Sequence, residues 1–419
     1  MHGFVISWYF PPINSSEGLV TFKLLKNSKY TYDVFTQKGN ESWTYGSKET
    51  KLVSSNINTI FSKSSDFSDW VQEGIEYFEK NRGKYDFIMS RSMAPESHMI
   101  ALEIKKRHPE VKWIASFGDP LCDNPFNYFI QTVSPYSAVS NGIDHVSIRY
   151  LISPKRIVKN ALWKYRKHNY DKKNNYENKY SKLQSDVLQN ADKIILNNEY
   201  QKKHMLNGKN EDVFNKVVII PHTYDSDFYD KKASKNNDKI VFSYLGHLDD
   251  IRTPINFLAA VKRLKENNKD IGEKLEIKFY GNLSSKDKLY IIDNGLVDVV
   301  KVMKPVTYFE SLNIMQESDW LLLVDANLGK YINENIFFAA KIADYLGSMS
   351  NIFAVTMDNG ASADIMRETN SVLCSYSVDE IYMKLSMIMN CKCNNKTINQ
   401  QHYDIKNVIK IYDDMVEKM

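Results

Sequence analysis

The sequence contains few of the features that mark secreted, membrane-spanning or disulfide-stabilised proteins. Only four of its 419 residues are cysteine, which excludes a disulfide framework and predicts a reducing compartment. No window reaches the roughly 18–20 apolar residues of a membrane span. The apolar segment at the N-terminus has no basic leader before it, and polar residues follow where a signal peptide would still be apolar. These absences predict a cytoplasmic protein.

The signatures of several enzyme classes are missing as well. The chain has neither the G-x-S-x-G pattern of serine hydrolases nor the phosphate-binding P-loop pattern. His98 and His108 lie ten positions apart, outside the usual zinc spacings, and the one D-x-D pattern, Asp225 to Asp227, falls in a predicted linker. We therefore expect neither a metal nor a cofactor. The net charge of +4 is too small to imply nucleic-acid binding.

Short apolar runs alternate with helical patterns along the chain. This alternation predicts an α/β protein of two doubly wound parallel sheets, each wrapped by helices, with a cleft at the carboxyl ends of their strands. The polar stretch Asp225–Asp238 is predicted to be an exposed connection, and His402–Met419 an amphipathic helix. Predicted strands include Val5–Tyr9, Tyr32–Thr36, Lys112–Phe117, Lys216–Pro221, Lys239–Gly246 and Trp320–Asp325, and predicted helices include Glu96–His108, Pro254–Asn267 and Phe337–Gly347.

One segment breaks this alternation. Between Arg149 and Lys182 there are 11 Lys or Arg against 2 Asp or Glu, with Tyr and Trp among them, so the rest of the chain carries a net charge of −5. A basic, aromatic-rich helix can lie on an anionic membrane face. It can equally be a solvated helix with a packed aromatic face.

Three regions of the sequence carry residues suited to binding a ligand, and the first two are strand-to-helix loops. In the first, a strand ends near Tyr9, two prolines stop it, and the small-residue loop Ser15–Gly18 opens a helix. Backbone N–H groups at such a helix start point at anions, so Ser16, Glu17 and Gly18 are candidates to contact phosphate or a sugar hydroxyl. The alternative is a plain turn with Ser16 as the N-cap.

The second loop joins a strand that ends at Gly246 to a helix. Glycine lets the backbone approach a ligand closely, and Arg252 can pair with diphosphate oxygens through two N–H groups. His247 is the other candidate in this loop. An arginine at a helix start opposes the helix dipole, which suggests an anionic partner.

The third region is a predicted helix that carries Lys341 and Asp344 on its polar face and ends at Gly347. A carboxylate there can accept ribose hydroxyls, and the lysine can reach phosphate. A surface ion pair one turn apart is the structural alternative.

In order and spacing these segments resemble the family 4 glycosyltransferases of the two-domain GT-B fold, of the type that builds bacterial surface polysaccharides. The loop PPINSSEG and the segments YLGHLDDIR and AAKIADYLGSMSNIFAVTMDNGASADIMRETNS carry the resemblance, with similar segments over nearly the whole chain. It implies an acceptor-side domain of residues 1–203 with 401–419, the last helix crossing back, and a nucleotide-sugar domain of residues 204–400.

The resemblance also implies roles for particular residues. Arg252 matches a position facing the donor diphosphate, and His247 departs from the family's arginine. Asp344 takes the ribose position, and the carboxylate expected eight residues earlier falls on Ile336, so Glu334 is the candidate for the sugar contact.

Two further positions are matched by the resemblance. The loop Pro305–Tyr308 is where the base is held by backbone groups, and Asp119 lies near the reacting centre on the acceptor side.

The expected function is transfer of a sugar from a UDP- or GDP-type donor to a glycan or lipid-linked acceptor, without metal and with retention, in the cytoplasm or on the inner face of the plasma membrane. Arg252 would stabilise the leaving diphosphate, and Asp119 would orient or deprotonate the acceptor. Inversion with Asp119 as base is left open by the sequence. The rival interpretations are a nucleotide-sugar epimerase on the same fold and a non-catalytic donor-binding subunit.

Overall fold

The computed structural model describes residues 1–38, 52–126, 148–173, 176–229, 238–249, 251–391, 396–398 and 400–419. Their strands form two sheets, one of seven strands in the order β3-β2-β1-β4-β5-β6-β7 and one of six in the order β10-β9-β8-β11-β12-β13. The first sheet contains β1 (His2–Ser7), β2 (Thr31–Thr36), β3 (Ile57–Phe61), β4 (Phe87–Arg91), β5 (Lys112–Ser116), β6 (Lys193–Leu196) and β7 (Val217–Ile219). The second contains β8 (Ile240–Leu245), β9 (Leu275–Tyr280), β10 (Val300–Met303), β11 (Trp320–Val324), β12 (Asn351–Val355) and β13 (Val372–Cys374).

Helices lie between the strands in both halves. The first half has α1 (Ser16–Asn27), α2 (Phe67–Asn81), α3 (Glu96–Arg107), α4 (Ile148–Leu151), α5 (Pro154–Lys173), α6 (Tyr176–Asn190), α7 (Glu199–Met205) and α8 (Glu211–Lys216). The second half has α9 (Ile255–Asn267), α10 (Ile271–Lys274), α11 (Ser285–Asp293), α12 (Tyr308–Glu317), α13 (Ala340–Gly347), α14 (Ala361–Glu368), α15 (Val378–Met389) and α16 (Ile405–Glu417).

The strands are parallel and buried on both faces. Neighbouring pairs such as β1 with β2 and β11 with β12 run in the same direction. In β1, Phe4 and Ile6 belong to one apolar cluster and Val5 to another, because successive side chains point to opposite faces of a strand. A sheet covered by helices on both sides needs this continuous apolar run. The prediction of two doubly wound α/β domains facing each other across a cleft is confirmed.

The last helix, α16, returns to the first domain as predicted. Its Asp413 accepts a hydrogen bond from Ser28 Oγ at 2.6 Å, and the Asp413 carbonyl accepts one from Tyr30 OH at 3.3 Å. Tyr412 is fully buried, with its hydroxyl 3.6 Å from the Met89 sulfur in β4. The apolar face of α16 therefore completes the core of the first domain.

Two boundaries differ from the sequence-based expectation. The strand predicted at Lys216–Pro221 exists as β7, but it pairs with β6 in the first sheet, whereas a division after residue 203 assigns it to the second domain. The helix predicted from Phe337 begins at Ala340, since Ala339 has extended backbone angles. The apolar spacing of Phe337–Ala339 reflects burial of an extended segment rather than a helical turn. The two domain ranges themselves stay a prediction.

The start of the stretch predicted as an exposed connection is buried. Asp225 is fully buried and accepts hydrogen bonds from Lys26 Nζ at 2.6 Å and Asn27 Nδ2 at 3.1 Å. Phe228 packs beneath the ammonium group of Lys26. That prediction is therefore wrong for Asp225 and Phe228, whereas Asp227 and Asp238 are exposed, and residues 230–237 lie outside the described residues. Within the part of the chain that the structure describes, no helix is long and apolar enough to cross a membrane.

Candidate functional site

Two adjoining cavities lie at the carboxyl ends of the strands, where the two domains meet. Cavity 1 has a volume of about 500 Å³, and cavity 2 about 530 Å³. Cavity 1 is lined by residues that include Ser16, Lys23, Gly246, His247, Arg252, Pro305, Tyr308, Lys341 and Asp344. Cavity 2 is lined by residues that include Asn14, Ser16, Glu17, Asp119, Phe126, His222, Arg252, Asp325 and Asn335. Arg252 and Ser16 line both, so they mark the junction.

The floor of cavity 1 is a close contact between two glycines at strand ends. Gly246 follows β8 with a φ of 125°, and Gly281 follows β9 with a φ of 136°. A Cβ atom on Gly281 would lie 2.1 Å from the Gly246 carbonyl oxygen, so a side chain there would separate the two loops. In both cases the positive φ favours glycine. The backbone is thereby left open to a ligand above it.

The loop after Gly246 is folded so that Arg252 projects into the site. The Asp249 carboxylate accepts hydrogen bonds from the backbone N–H groups of Ile251 at 2.8 Å and Arg252 at 2.7 Å. Such a turn, closed by an aspartate side chain, fixes the backbone direction two to three residues later. The position of Arg252 is therefore determined by its own loop before any ligand arrives.

The Arg252 side chain contributes a buried donor without an acceptor. Its Nε is fully enclosed and has no hydrogen-bond partner among the described residues. The guanidinium group stands over the Phe126 ring, 5.5 Å from the ring centre. Because a buried unsatisfied donor is costly, the Arg252 Nε is suited to donating to an anionic or polar ligand.

Lys341 provides the second cation of cavity 1. Its Nζ donates hydrogen bonds to Tyr244 OH at 2.8 Å and to the Leu245 carbonyl at 3.1 Å, next to Gly246. Burial lowers the pKa of Lys341 to about 7, and the nearby Arg252 adds to the decrease. A bound anion would reverse both effects by favouring the charged ammonium.

Asp344 lies on the same wall and is held by two donors. Lys23 Nζ and Tyr308 OH each donate to Asp344 Oδ1 at 3.0 Å. Tyr308 is placed by a capping box at the start of α12, in which Thr307 and Glu310 bond each other's backbone N–H groups. Pro305, from the same loop, also lines cavity 1. The carboxylate predicted for ribose and the loop predicted for the base thus share one cavity.

His247 lies at the rim of cavity 1. It is exposed, and its backbone carbonyl accepts a hydrogen bond from Tyr244 OH at 3.2 Å. An exposed imidazole at the entrance can contact a ligand without being fixed by the protein.

Cavity 2 is dominated by carboxylates from the first domain. Glu17 pairs with the buried Arg91, whose Nε lies 2.9 Å and Nη2 2.8 Å from Glu17 Oε2. Burial and, to a smaller extent, the neighbouring Glu17 raise the pKa of Asp119, Arg91 and Arg252 oppose the rise, and the resulting pKa is about 7. Asp119 therefore changes charge near neutral pH, as a proton acceptor in transfer chemistry requires.

The first loop contributes less than its sequence pattern suggested. Ser16 begins α1 and lines both cavities, with Ser15 rather than Ser16 as the N-cap. A Cβ atom at Gly18 would lie 3.1 Å from Phe10 Cα, so this glycine serves the close packing of α1 on the segment that follows β1. The structure does not place Gly18 at either cavity.

Sequence reasoning missed several polar residues of cavity 2. His222 follows β7, is buried against Phe338, and has an Nδ1 without a partner among the described residues. Burial holds the pKa of His222 well below its usual range, and Arg91 and Lys23 lower it further. Asp325 follows β11 and accepts hydrogen bonds from Thr356 Oγ1 at 2.8 Å and Asn335 Nδ2 at 3.3 Å. The available signal was a polar residue directly after a buried strand.

Glu334 is not brought together with the other candidates. It lines cavity 3, a separate space of about 740 Å³ also lined by Gln184, Tyr200 and Lys203. Its carboxylate accepts hydrogen bonds from Lys203 Nζ at 2.9 and 3.2 Å. Neighbouring side chains of this extended segment alternate, since Asn335 lines cavity 2 and Ile336 cavity 3.

No group of three or more His, Cys, Asp or Glu within the described ranges is arranged to hold a metal ion. The expected independence of metal and cofactor stays a prediction.

The architecture is similar to that of solved GT-B proteins. Sucrose-phosphate synthase from Thermosynechococcus elongatus superimposes with a TM-score of 0.65 at 11% identity, over 100% of this chain and 98% of that one. The lipopolysaccharide outer core galactosyltransferase WaaB gives 0.58 at 10%, over 100% and 99%. The UDP-GlcNAc 2-epimerase from Methanocaldococcus jannaschii gives 0.51 at 11%, over 100% of both chains.

No protein-family model matches the sequence, and no curated protein matches it. At these identities the structural likeness shows the fold, which is GT-B. Both transferases and epimerases share it, so chemistry has to be argued from the site.

Proposed function

We propose that this protein is a glycosyltransferase that moves a sugar from a nucleotide-sugar donor to a glycan or lipid-linked acceptor. The observation that supports this most is the buried, unpartnered Arg252 Nε beside Lys341, above the glycine floor of cavity 1. Two cationic groups facing one cavity at a strand end are suited to a diphosphate. The fold shared with sugar transferases supports the same proposal.

On the donor side, each proposed contact has a physical role. Arg252 and Lys341 would stabilise the charge that develops on the departing diphosphate, with His247 at the rim and the Gly246 backbone close to the phosphates. Asp344 would accept a hydrogen bond from the ribose, and the backbone of Pro305–Tyr308 would hold the base. All of these residues line cavity 1.

On the acceptor side, cavity 2 would receive the hydroxyl that attacks the sugar. Asp119, with a pKa near 7, would orient that hydroxyl or assist its deprotonation, and Ser16 and Glu17 would contact the acceptor. The sugar itself would lie at the junction marked by Arg252. Glu334 pairs with Lys203, and this pairing does not support a role for Glu334 as the sugar contact. We propose retention of configuration and no metal.

A donor screen tests this function directly. Purified protein is incubated with UDP-, GDP- and ADP-sugars and with candidate glycan and lipid-linked acceptors, and mass spectrometry follows the products. The expected result is release of the nucleoside diphosphate together with an acceptor heavier by one sugar. Absence of nucleotide binding at millimolar donor in calorimetry would instead refute any donor-binding function, including that of a non-catalytic subunit.

An epimerase is the second candidate, because the fold is shared with UDP-GlcNAc 2-epimerase. An epimerase would use cavity 1 in the same way and need no acceptor. Conversion of a nucleotide-sugar to its epimer in the absence of any acceptor would support it. The acidic cavity 2, which lies next to the diphosphate site with room for a second substrate, favours transfer.

We further propose that the protein acts on the inner face of a membrane in cell-surface polysaccharide synthesis, as a family 4 enzyme would. Helix α5 exposes Ile157, Val158, Leu162 and Tyr165 together with basic residues such as Lys159. Exposed apolar side chains among lysines suit an anionic bilayer surface. The name of the lipopolysaccharide galactosyltransferase of similar fold is consistent with such a role.

Vesicle flotation tests the membrane part separately. The protein should float with vesicles that contain about 30% anionic lipid and not with neutral vesicles, because each cation near the surface contributes about 1 kcal/mol. Replacing Val158 and Leu162 by Ser should abolish flotation, whereas the same change at Val297, exposed elsewhere, should not. Equal flotation of all variants would contradict this placement.

A further inference from the structure

Lys23 crosses the cleft between the domains and ends in cavity 1. It belongs to α1 of the first domain, yet its Nζ donates to Asp344 Oδ1 of the second domain at 3.0 Å, across 321 positions of sequence. Its side chain is only 2% exposed. A buried lysine requires a charged or strongly polar partner, and Asp344 is the partner that the structure gives it.

The two oxygens of the Asp344 carboxylate differ in their surroundings. Oδ1 accepts hydrogen bonds from Lys23 Nζ and Tyr308 OH, whereas Oδ2 has no partner among the described residues and is not enclosed. The Asp344 backbone carbonyl accepts a hydrogen bond from Tyr229 OH at 2.8 Å, which holds the helix as well as the side chain. Oδ2 is therefore the oxygen available to a ligand in cavity 1.

A second lysine of α1 provides the contrast. Lys26, one turn later, pairs with Asp225 at 2.6 Å and lines neither cavity 1 nor cavity 2. Both lysines tie α1 to carboxylates far away in sequence. Only the Lys23 pair does so on the wall where the nucleoside of the donor would lie.

We propose that Lys23 is a positioning residue for the nucleoside: it fixes and neutralises one oxygen of Asp344 so that Oδ2 accepts a hydrogen bond from a single ribose hydroxyl. This inference rests on the proposed function. Because the carboxylate is oriented from the opposite domain, recognition of the ribose depends on both domains. A carboxylate with both oxygens free would accept both ribose hydroxyls equally, whereas this one discriminates between them.

The test measures a ratio rather than an affinity. Calorimetry with UDP, GDP and ADP identifies the nucleotide that binds, and its 2′-deoxy and 3′-deoxy forms are then titrated. In the wild type one deoxy form should bind about tenfold more weakly than the parent, the value of one hydrogen bond to a charged group, and the other should bind nearly as well. In Lys23→Met the two deoxy forms should bind with nearly equal affinity, so that the tenfold ratio between them falls towards one. The nucleotide should still bind to the protein through its phosphates.

Controls separate positioning from folding. Lys26→Met removes an ion pair of the same helix and should keep the tenfold ratio. Asp344→Asn should lose the ratio, and adding Lys23→Met to it should lower the ratio no further, because the two residues act as one unit. A Lys23→Met variant that weakens all forms equally, with the ratio intact, would overturn the proposal.

Two other outcomes also overturn it, and they are distinguishable. A wild type that binds the nucleotide with equal loss for both deoxy forms contradicts recognition of one hydroxyl but leaves the proposed function standing. A wild type that binds none of the three nucleotides removes the proposed function and this inference together. Should Lys23→Met not fold, hydrogen exchange on the wild type decides, since the parent nucleotide should protect α1 near Lys23 more than the weaker deoxy form does. Equal protection would contradict the inference.

Discussion

Cavity 1 and cavity 2 adjoin each other but carry opposite electrostatic character. Cavity 1 contains Arg252 with an unpartnered Nε and Lys341, whose pKa is lowered to about 7. Cavity 2 contains Asp119, whose pKa is raised to about 7, and Glu17. In both places burial disfavours the charged form, and the sign of the group decides the direction of the shift. Cavity 1 thus carries an excess of cationic side chains and cavity 2 an excess of carboxylates, of which Asp119 has a raised pKa.

This difference suits the two cavities to different parts of a transfer reaction. A departing diphosphate needs positive charge, and an attacking hydroxyl needs a group that can take its proton. Arg252 and Lys341 of cavity 1 come from the β8 loop and α13 of the second domain. Glu17 and Asp119 of cavity 2 come from α1 and the end of β5 in the first domain. Lys23 in cavity 1 and Asp325 in cavity 2 each come from the opposite domain. Changes in one cavity should therefore affect a different kinetic quantity from changes in the other.

The largest effect is expected from Arg252→Ala. Removing the guanidinium should lower turnover by about 100- to 1,000-fold and weaken nucleoside diphosphate binding, because a preorganised charge stabilises the leaving group. Stopped assays and calorimetry measure the two effects. Arg263→Ala is the matched control, since Arg263 is an exposed arginine on α9 paired with Asp379. Full activity of Arg252→Ala would place the diphosphate elsewhere.

The second largest effect is expected from Asp119→Asn, which changes cavity 2. We expect turnover to fall by about 100-fold with donor affinity unchanged, the loss of one acid–base group. In the wild type, kcat/KM should rise with pH through about 7 as Asp119 of the free protein becomes ionised, and the variant should lack this rise. A fall in donor affinity as large as the fall in kcat would erase the distinction between the cavities.

Because of Lys341, we expect the affinity for a nucleoside diphosphate to fall with rising pH, opposite to the rise in activity expected from Asp119. A bound diphosphate raises the pKa of Lys341 above its free value of about 7, so binding above pH 7 takes up a proton. Affinity should therefore fall by up to about tenfold per pH unit above 7 and be nearly constant below it. Calorimetry at pH 8 in two buffers of different ionisation enthalpy measures the uptake. Lys341→Met should abolish it, and an unchanged uptake in that variant would exclude Lys341.

Glu334→Gln should have the smallest effect. Because Glu334 bonds Lys203 in cavity 3, away from both other cavities, turnover should change by less than about twofold, as expected for an exposed ion pair. Initial rates at saturating and at limiting donor test this, with Lys203→Met as the companion variant. A loss of turnover of about 100-fold in Glu334→Gln would mean that the segment around Ile336 changes conformation in the active protein and that Glu334 contacts the sugar.

Much of this arrangement is readable from sequence. Apolar runs alternating with helical patterns specify two parallel sheets, since a strand buried on both faces must be apolar throughout. In such sheets polar residues after a strand meet at one edge, which is why Arg252 could be predicted to lie at the cleft, whereas Asp119 was placed there by the family resemblance. The spacing of Lys341 and Asp344 was visible in the same way, because one helical turn separates them.

Other features were decided only by the tertiary structure. Whether Glu334 or Asn335 faces cavity 2 depends on one step along an extended segment, where side chains alternate and apolar spacing resembles a helix. The membership of β7 in the first sheet depends on its pairing with β6, which no local pattern specifies. Gly18 packs on Phe10 rather than on a ligand for the same reason, since a tight contact leaves no mark in local sequence.

The pair of Lys23 and Asp344 shows the limit most clearly. The sequence by itself placed Asp344 on a helix beside a cleft, because amphipathic spacing is local information. A lysine 321 positions away donates a hydrogen bond to one of the Asp344 oxygens. This contact follows only from the packing of α1 against α13 across the two domains. A buried charge requires a partner, but long-range packing decides which residue that partner is. The charged residues at the cleft could therefore be predicted from sequence, whereas their pairing could not.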